Sequence, residues 1–227
     1  MDINQDTHGS SQMEERRKKI IYILAAIAIV VVLFLGEQTI VKEISATKGT
    51  AYLEEKEYEK AYTSFQKAEK QVAIGSKKNI RYYEGECLIY LGRYKDAIDV
   101  YDKIIDSSKE PRAYALKGLS YQQNKKEEEA LACYQQAIEA DKKDGTGYYY
   151  LYAYYVDQKE YEKALQTLED AKKEEVTTMQ QELAYARVVV YEKMLDYEKA
   201  YTEAKAYVKS YPDDKNGKRE MEFLETR

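Results

Sequence analysis

The sequence predicts an all-α protein: a right-handed superhelical solenoid of about five helix-turn-helix repeats, closed by a C-terminal cap helix and preceded by one transmembrane helix. Three observations predict it. Five alanines, Ala61, Ala97, Ala130, Ala164 and Ala200, recur at intervals of 33 to 36 residues in the same local pattern. Ile20 to Leu35 is an unbroken run without a charged residue. Helix-breaking residues are scarce, with 2 prolines and 10 glycines in 227 residues.

The elements follow in order. Residues 1–19 are polar and read as a disordered tail holding the chain's one histidine, His8. Residues 20–36 form the apolar segment. As a helix, Ile20–Leu35 spans about 24 Å, short of the roughly 30 Å hydrocarbon core of a bilayer. Lys18 and Lys19 can snorkel at one end, and a connector over 37–41 adds a partly apolar turn at the other. A cleaved signal peptide has a shorter apolar core with a small-x-small site just after it. Here Gly36-Glu-Gln-Thr-Ile-Val-Lys-Glu43 follows instead, which favours an uncleaved anchor. Arg16, Arg17, Lys18 and Lys19 abut its amino end, whereas Lys42 and Lys48 alone follow closely. The positive-inside rule therefore places the N-terminus in the cytoplasm and the rest outside it, in a single-pass cell-membrane protein.

Residues 42–227 carry the repeats, at about 42–77, 78–110, 111–144, 145–180 and 181–212, with a cap helix at about 213–227. Four alanines stand in a Tyr-x-x-Ala unit (Tyr58–Ala61, Tyr94–Ala97, Tyr161–Ala164, Tyr197–Ala200), and Glu127 replaces the tyrosine before Ala130. Four residues after each alanine comes Phe65, Tyr101, Tyr134, Leu168 or Ala204. Nine residues before the tyrosine slot, the first three units carry Gly49, Gly85 and Gly118. Apolar residues three and four apart are helical periodicity. Glycine and alanine mark the closest approach of two antiparallel helices, and the aromatics fill the space around it. One hairpin cannot bury its own apolar face, so consecutive hairpins stack. In the fourth and fifth units the glycine slot holds Tyr152 and Val188, which predicts helices pushed apart or shifted in register. Met221 and Leu224, among polar residues, suit a solvating cap.

A period near 34 with small and aromatic residues in these slots resembles the tetratricopeptide repeat (TPR) family over roughly residues 42 to 227. The resemblance implies that the first helix of each pair lines a concave groove for a peptide or partner helix. It places Tyr82, Glu86, Ile89 and Tyr90 there from the second repeat, and Leu119, Gln122 and Gln123 from the third. Tyr149, Ala153 and Val156 follow from the fourth, and Tyr185 and Val189 from the fifth. Aromatic residues beside amides and carboxylates suit peptide recognition. Tyrosine acting only as a packing aromatic is an equal alternative for the 25 tyrosines of a chain without tryptophan. The whole is similar to bacterial membrane-anchored TPR scaffolds and chaperone-like accessories. The alternative is an anchored receptor subunit for a small envelope ligand or glycan.

Composition narrows the function class. With 36 Lys+Arg against 41 Asp+Glu the formal charge is −5. Nucleic acid, whose binding rests on dense positive charge, is therefore not an expected partner. One histidine, with no glycine-rich phosphate loop and no serine elbow, speaks against an enzyme. Charge runs such as Glu127-Glu128-Glu129 fall at turns, where they read as solvation. No cofactor or metal is expected. Cys87 and Cys133 stand in slots that do not face each other, so buried thiols are favoured over a disulfide.

Overall fold

The computed structural model describes residues 4–227, with side chains from Met13 onward. Among the described residues it contains eleven helices and no strand. They are α1 (Asn4–Glu54), α2 (Tyr58–Glu69), α3 (Lys78–Tyr90), α4 (Tyr94–Ser108), α5 (Pro111–Gln123), α6 (Glu127–Ala140), α7 (Thr146–Asp157), α8 (Tyr161–Lys173), α9 (Gln180–Lys193), α10 (Tyr197–Ser210) and α11 (Lys215–Glu225). The chain divides into two compact units, Met1–Tyr83 and Glu84–Arg227, with the division inside α3.

In the first unit, α1 is a single helix of 51 residues, roughly 75 Å long. It starts well before the apolar run, so the stretch expected to be irregular is helical from Asn4 on; residues 1–3 and the side chain of His8 lie outside the described residues. The reason is local. Met13-Glu-Glu-Arg-Arg-Lys-Lys19 is made of strong helix formers, and Glu14 pairs with Lys18 one turn on, at 3.0 Å. The expected connector at 37–41 is helix too, with Thr39 Oγ1 donating back to the Leu35 carbonyl at 2.8 Å. The most apolar window of α1 has nothing packed on it, and by length and composition it can cross a membrane. The end of α1 then serves as the first helix of the first hairpin, against α2. A Cβ added to Gly49 would lie 2.6 Å from Cε1 of Phe65, so the ring occupies the volume a larger residue would need.

Every hairpin closes the same way. The turn residues Lys56, Gly92, Lys125, Lys159 and Leu195 all have φ between 60° and 71°. Around each, two backbone bonds form a Schellman pair: Glu57 N donates to Tyr52 O at 2.8 Å and Lys56 N to Leu53 O at 3.0 Å, and the same pattern recurs at Arg93, Lys126, Glu160 and Asp196. An ion pair three residues apart opens each second helix: Glu57–Lys60, Arg93–Asp96, Lys126–Glu129, Glu160–Lys163 and Asp196–Lys199. The charge order is reversed in the second and third. Being exposed, these pairs each contribute little.

In the second unit, the small slots behave as the spacing predicts. Ala97, Ala130, Ala164 and Ala200 are fully buried. A Cβ on Gly85 would lie 2.5 Å from Cζ of Tyr101, and one on Gly118 would lie 2.6 Å from Cε1 of Tyr134. The last two hairpins pack their helices less closely than the first and third, as the bulkier slots predict. Where the glycine slot holds Tyr152, the facing position holds Leu168, and Tyr152 packs on the cluster that contains it. Where the slot holds Val188, the facing position is Ala204, in the same buried cluster. With a large side chain now on the first helix, the paired helices stand further apart. Helix α11 covers the end of the unit: Leu224 is buried against Val188, Ala200 and Ala204, with Met221 beside them. Asp214 caps it by accepting from the Asn216 amide at 2.9 Å.

Candidate partner-binding face

The first helices of the second unit's hairpins, α5, α7 and α9, bring most of the predicted groove residues to intermediate exposure. Leu119 and Gln122 on α5, Tyr149, Ala153 and Val156 on α7, and Tyr185 and Val189 on α9 are half-buried, and Gln123 is exposed. On α3, Glu86 and Ile89 are half-buried and Tyr90 is 57% exposed. Tyr82 is the exception. At 5% exposed it belongs to the core, which corrects its assignment to the groove. The helical period explains it: eight residues at about 100° each overshoot two turns by about 80°, so Tyr82 and Tyr90 do not share a face.

The face is braced from behind. Tyr134, on α6, reaches between α5 and α7 and donates its hydroxyl to Gln122 Oε1 at 2.7 Å. Gln122 Nε2 donates onward to Asp157 Oδ2 at 3.1 Å. Gln122 is thus a strut tying α5 to the end of α7 as much as a recognition group. The Tyr134 ring also lies 6.1 Å from Tyr150 and 5.9 Å from Tyr154. Edge contacts at 5.3–5.9 Å join Tyr149 to Tyr152 and Tyr150. Tyr185 packs at 5.1 Å on Tyr207.

Burial sets the ionisation of these phenols. It pushes Tyr152 up to about 12, with neighbouring Tyr149 adding to the effect. It raises Tyr134 as well, and Tyr185, the latter helped by Glu220 and Glu192. Tyr150 is raised by burial against the opposing pull of Arg112, while Glu86 adds to the rise. At neutral pH the rings are therefore neutral, offering apolar area and hydroxyl hydrogen bonds. The thiols are equally quiet: burial pushes Cys87 up to about 12, with Glu86 adding to it, and raises Cys133.

Sequence reasoning missed Arg112, Tyr150 and Asp157. A helical signal was present for two of them: Arg112 is seven residues before Leu119, and Asp157 four after Ala153, spacings that keep one face. Tyr150 offered none, since its neighbour Tyr149 had taken the slot. Elsewhere a cleft of about 540 Å³ opens among α8, α9 and α10. It contains none of the predicted groove residues, and its Arg187 is already held by Glu203 at 3.0 Å and Glu169 at 3.2 Å. Among the described residues no cluster of His, Cys, Asp and Glu is placed to hold a metal ion.

Stacked helical hairpins presenting an aromatic and polar face define a protein-interaction scaffold. Tetratricopeptide-repeat models match residues 47–114 and 111–144, and this part of the chain is built of tetratricopeptide repeats. No curated protein matches it in sequence. Solved structures share its fold. PilW, described as a widely conserved type IV pilus biogenesis factor, superposes with a TM-score of 0.61 at 16% identity, covering 97% of this chain and 99% of PilW. TTC0263, a thermophilic TPR protein of Thermus thermophilus, gives 0.59 at 14% identity, covering 82% of this chain and all of its own. MamA (residue 41 to the end) from Desulfovibrio magneticus RS-1 gives 0.52 at 18% identity over 77% of this chain and 97% of MamA.

Proposed function

We propose that this protein is a membrane-anchored, non-enzymatic scaffold that holds its repeats outside the cytoplasm and receives a peptide or helix of a partner protein on the first-helix face. The observation that carries the reading is the state of α1: its apolar stretch has nothing packed on it, yet the same helix continues into the first hairpin. Leaving such a surface in water is unfavourable by about 25 cal/mol per Å², and a bilayer removes that cost. The basic run Arg16–Lys19 supports a cytoplasmic N-terminus. For the partner, the exposed Tyr90 and half-buried Tyr149 offer the rigid amphipathic surface that interaction hot spots favour.

The test has two arms. An impermeant amine reagent applied to intact cells labels exposed Lys125 and Lys126 while Lys18 stays protected; protection of the repeats would reverse the orientation. Crosslinked capture from native membranes is then compared between wild type and Tyr90→Ala/Tyr149→Ala. Loss of a specific partner at unchanged melting temperature supports the face, and retention of every partner removes it.

A further inference from the structure

The segment between α2 and α3, Lys70-Gln-Val-Ala-Ile-Gly-Ser-Lys77, carries two of the most exposed large aliphatic side chains of the repeat region, Val72 at 65% and Ile74 at 69%. An isolated exposed aliphatic residue is ordinary, but these two stand together in one short loop. On α1, Ile40 and Ile44, one turn apart and on the face opposite Lys42, are 61% and 52% exposed.

The loop is strapped to α1 at this level. Lys42, only 5% exposed, donates its Nζ to the Ile74 carbonyl at 2.9 Å and pairs with Glu43 at 3.2 Å. Gly75 turns the chain there with φ +96°, and its Cα faces the Lys42 ammonium closely enough that an added Cβ would sit 3.5 Å from Nζ. The loop's far end is fastened as well: Lys77 donates to the Glu69 carbonyl and pairs with its carboxylate, which Arg81 also holds at 2.9 Å. Burial pushes the Glu69 carboxyl up, but these cationic bonds outweigh it and the net shift is down. Val72 and Ile74 are thus presented on a loop pinned at both ends.

The height of that loop decides what it meets. A hydrocarbon core of about 30 Å takes about 20 helical residues, so a span that begins at Ile20 ends near Thr39. Lys42 lies three residues further, about 4–5 Å beyond the hydrocarbon boundary. The headgroup layer extends about 5–7 Å on each side of the core, so the strap lies inside it. Lys70, Lys77 and Lys78 flank the aliphatic pair, the arrangement of apolar insertion beside basic charge that suits a phospholipid interface.

We infer that the Val72–Ile74 loop is a second membrane contact, inserting its two aliphatic side chains into the bilayer interface beside the exit of α1. The inference rests on the anchored reading of α1. Two contacts at different distances from the helix axis fix both tilt and rotation, so the first hairpin is seated on the membrane surface, with its loop side down.

Because the chain contains no tryptophan, single substitutions give clean reporters. Full-length Val72→Trp, Ile74→Trp and Val30→Trp proteins are reconstituted in phosphatidylcholine–phosphatidylglycerol vesicles, with Glu59→Trp, exposed at the other end of the first hairpin, as the control. Emission is read with lipids brominated at mid-chain or near the carbonyl end, and with aqueous iodide. The expected result is mid-chain quenching at position 30, quenching by the shallow bromines with a blue-shifted emission at 72 and 74, and iodide quenching alone at 59. Mid-chain quenching at 30 with iodide quenching alone at 72 and 74 overturns the loop contact and leaves the anchor standing. Iodide quenching at position 30 overturns both.

Discussion

At the residue scale, four of the five hairpin contacts set a large side chain against a glycine or alanine, and either helix can supply the bulk. Tyr152 with Leu168 is large on both sides. Gly49 faces Phe65, whereas Val188 shares its cluster with Ala204. This pairing makes a coupled prediction. Gly49→Ala alone should cost about 1–3 kcal/mol through overpacking. Combined with Phe65→Leu, it should cost less than the two single changes added, by about 0.5–3 kcal/mol in a denaturation cycle. Strict additivity would show that ring and glycine do not share that volume. The tyrosines give a second residue-level contrast: Tyr82→Ala should lower the melting temperature, while Tyr90→Ala should not. Periodicity alone was enough to identify the small slots, because an intrahairpin contact depends on residues about sixteen apart in one unit. It was not enough to phase Tyr82, because an eight-residue step is only near, and not at, a whole number of turns. Nor did it reveal that Gln122 is a strut, since both of its partners, Tyr134 and Asp157, come from other helices.

At the element scale, the five turns share one backbone conformation but not one residue type. Gly92 alone adopts the left-handed region without steric cost, and a Cβ there meets nothing within 4 Å. Gly92→Ala should therefore destabilise by about 1 kcal/mol from backbone strain alone. Leu195→Gly, at φ 61° and 70% exposed, should do the opposite, raising stability by about 0.5–1 kcal/mol after glycine's own entropy cost. The cap carries a pH dependence. Burial and a hydrogen bond with Glu220 of α11 push Glu192 of α9 up to about 7, with Lys193 pulling the other way. A carboxyl raised on folding contributes its stability at low pH and loses it as pH climbs from the ordinary glutamate range through about 7. The melting temperature of the wild type should fall across that window, and that of Glu192→Gln should fall less. Parallel curves would mean that α11 does not depend on the shared proton. None of this was visible in the sequence, where Glu192 and Glu220 are separated by the whole of α10.

At the scale of the whole molecule, the all-helical repeat architecture was legible because its determinants repeat: five copies of one pattern outvote any single ambiguous residue. The amino-terminal tail was not, because a polar composition does not distinguish an irregular segment from a helix extended by its neighbour. The cap offers a global test. Deleting residues 213–227 would uncover Val188, Ala200 and Ala204, and losing the burial of Leu224 alone should cost about 1.5–3 kcal/mol, with self-association as the second readout. Helix α1 has a further consequence, which is one of phase. A continuous hydrogen-bond ladder couples translation to rotation, like a screw thread. One residue inserted between Gly36 and Val41 would lift everything beyond it by about 1.5 Å and turn it by about 100°, carrying the first hairpin away from its original bearing. Four inserted residues would restore the bearing to within about 40° while lifting it by about 6 Å. Activity that recovers at four but not at one would identify orientation, and not reach, as the quantity this helix sets.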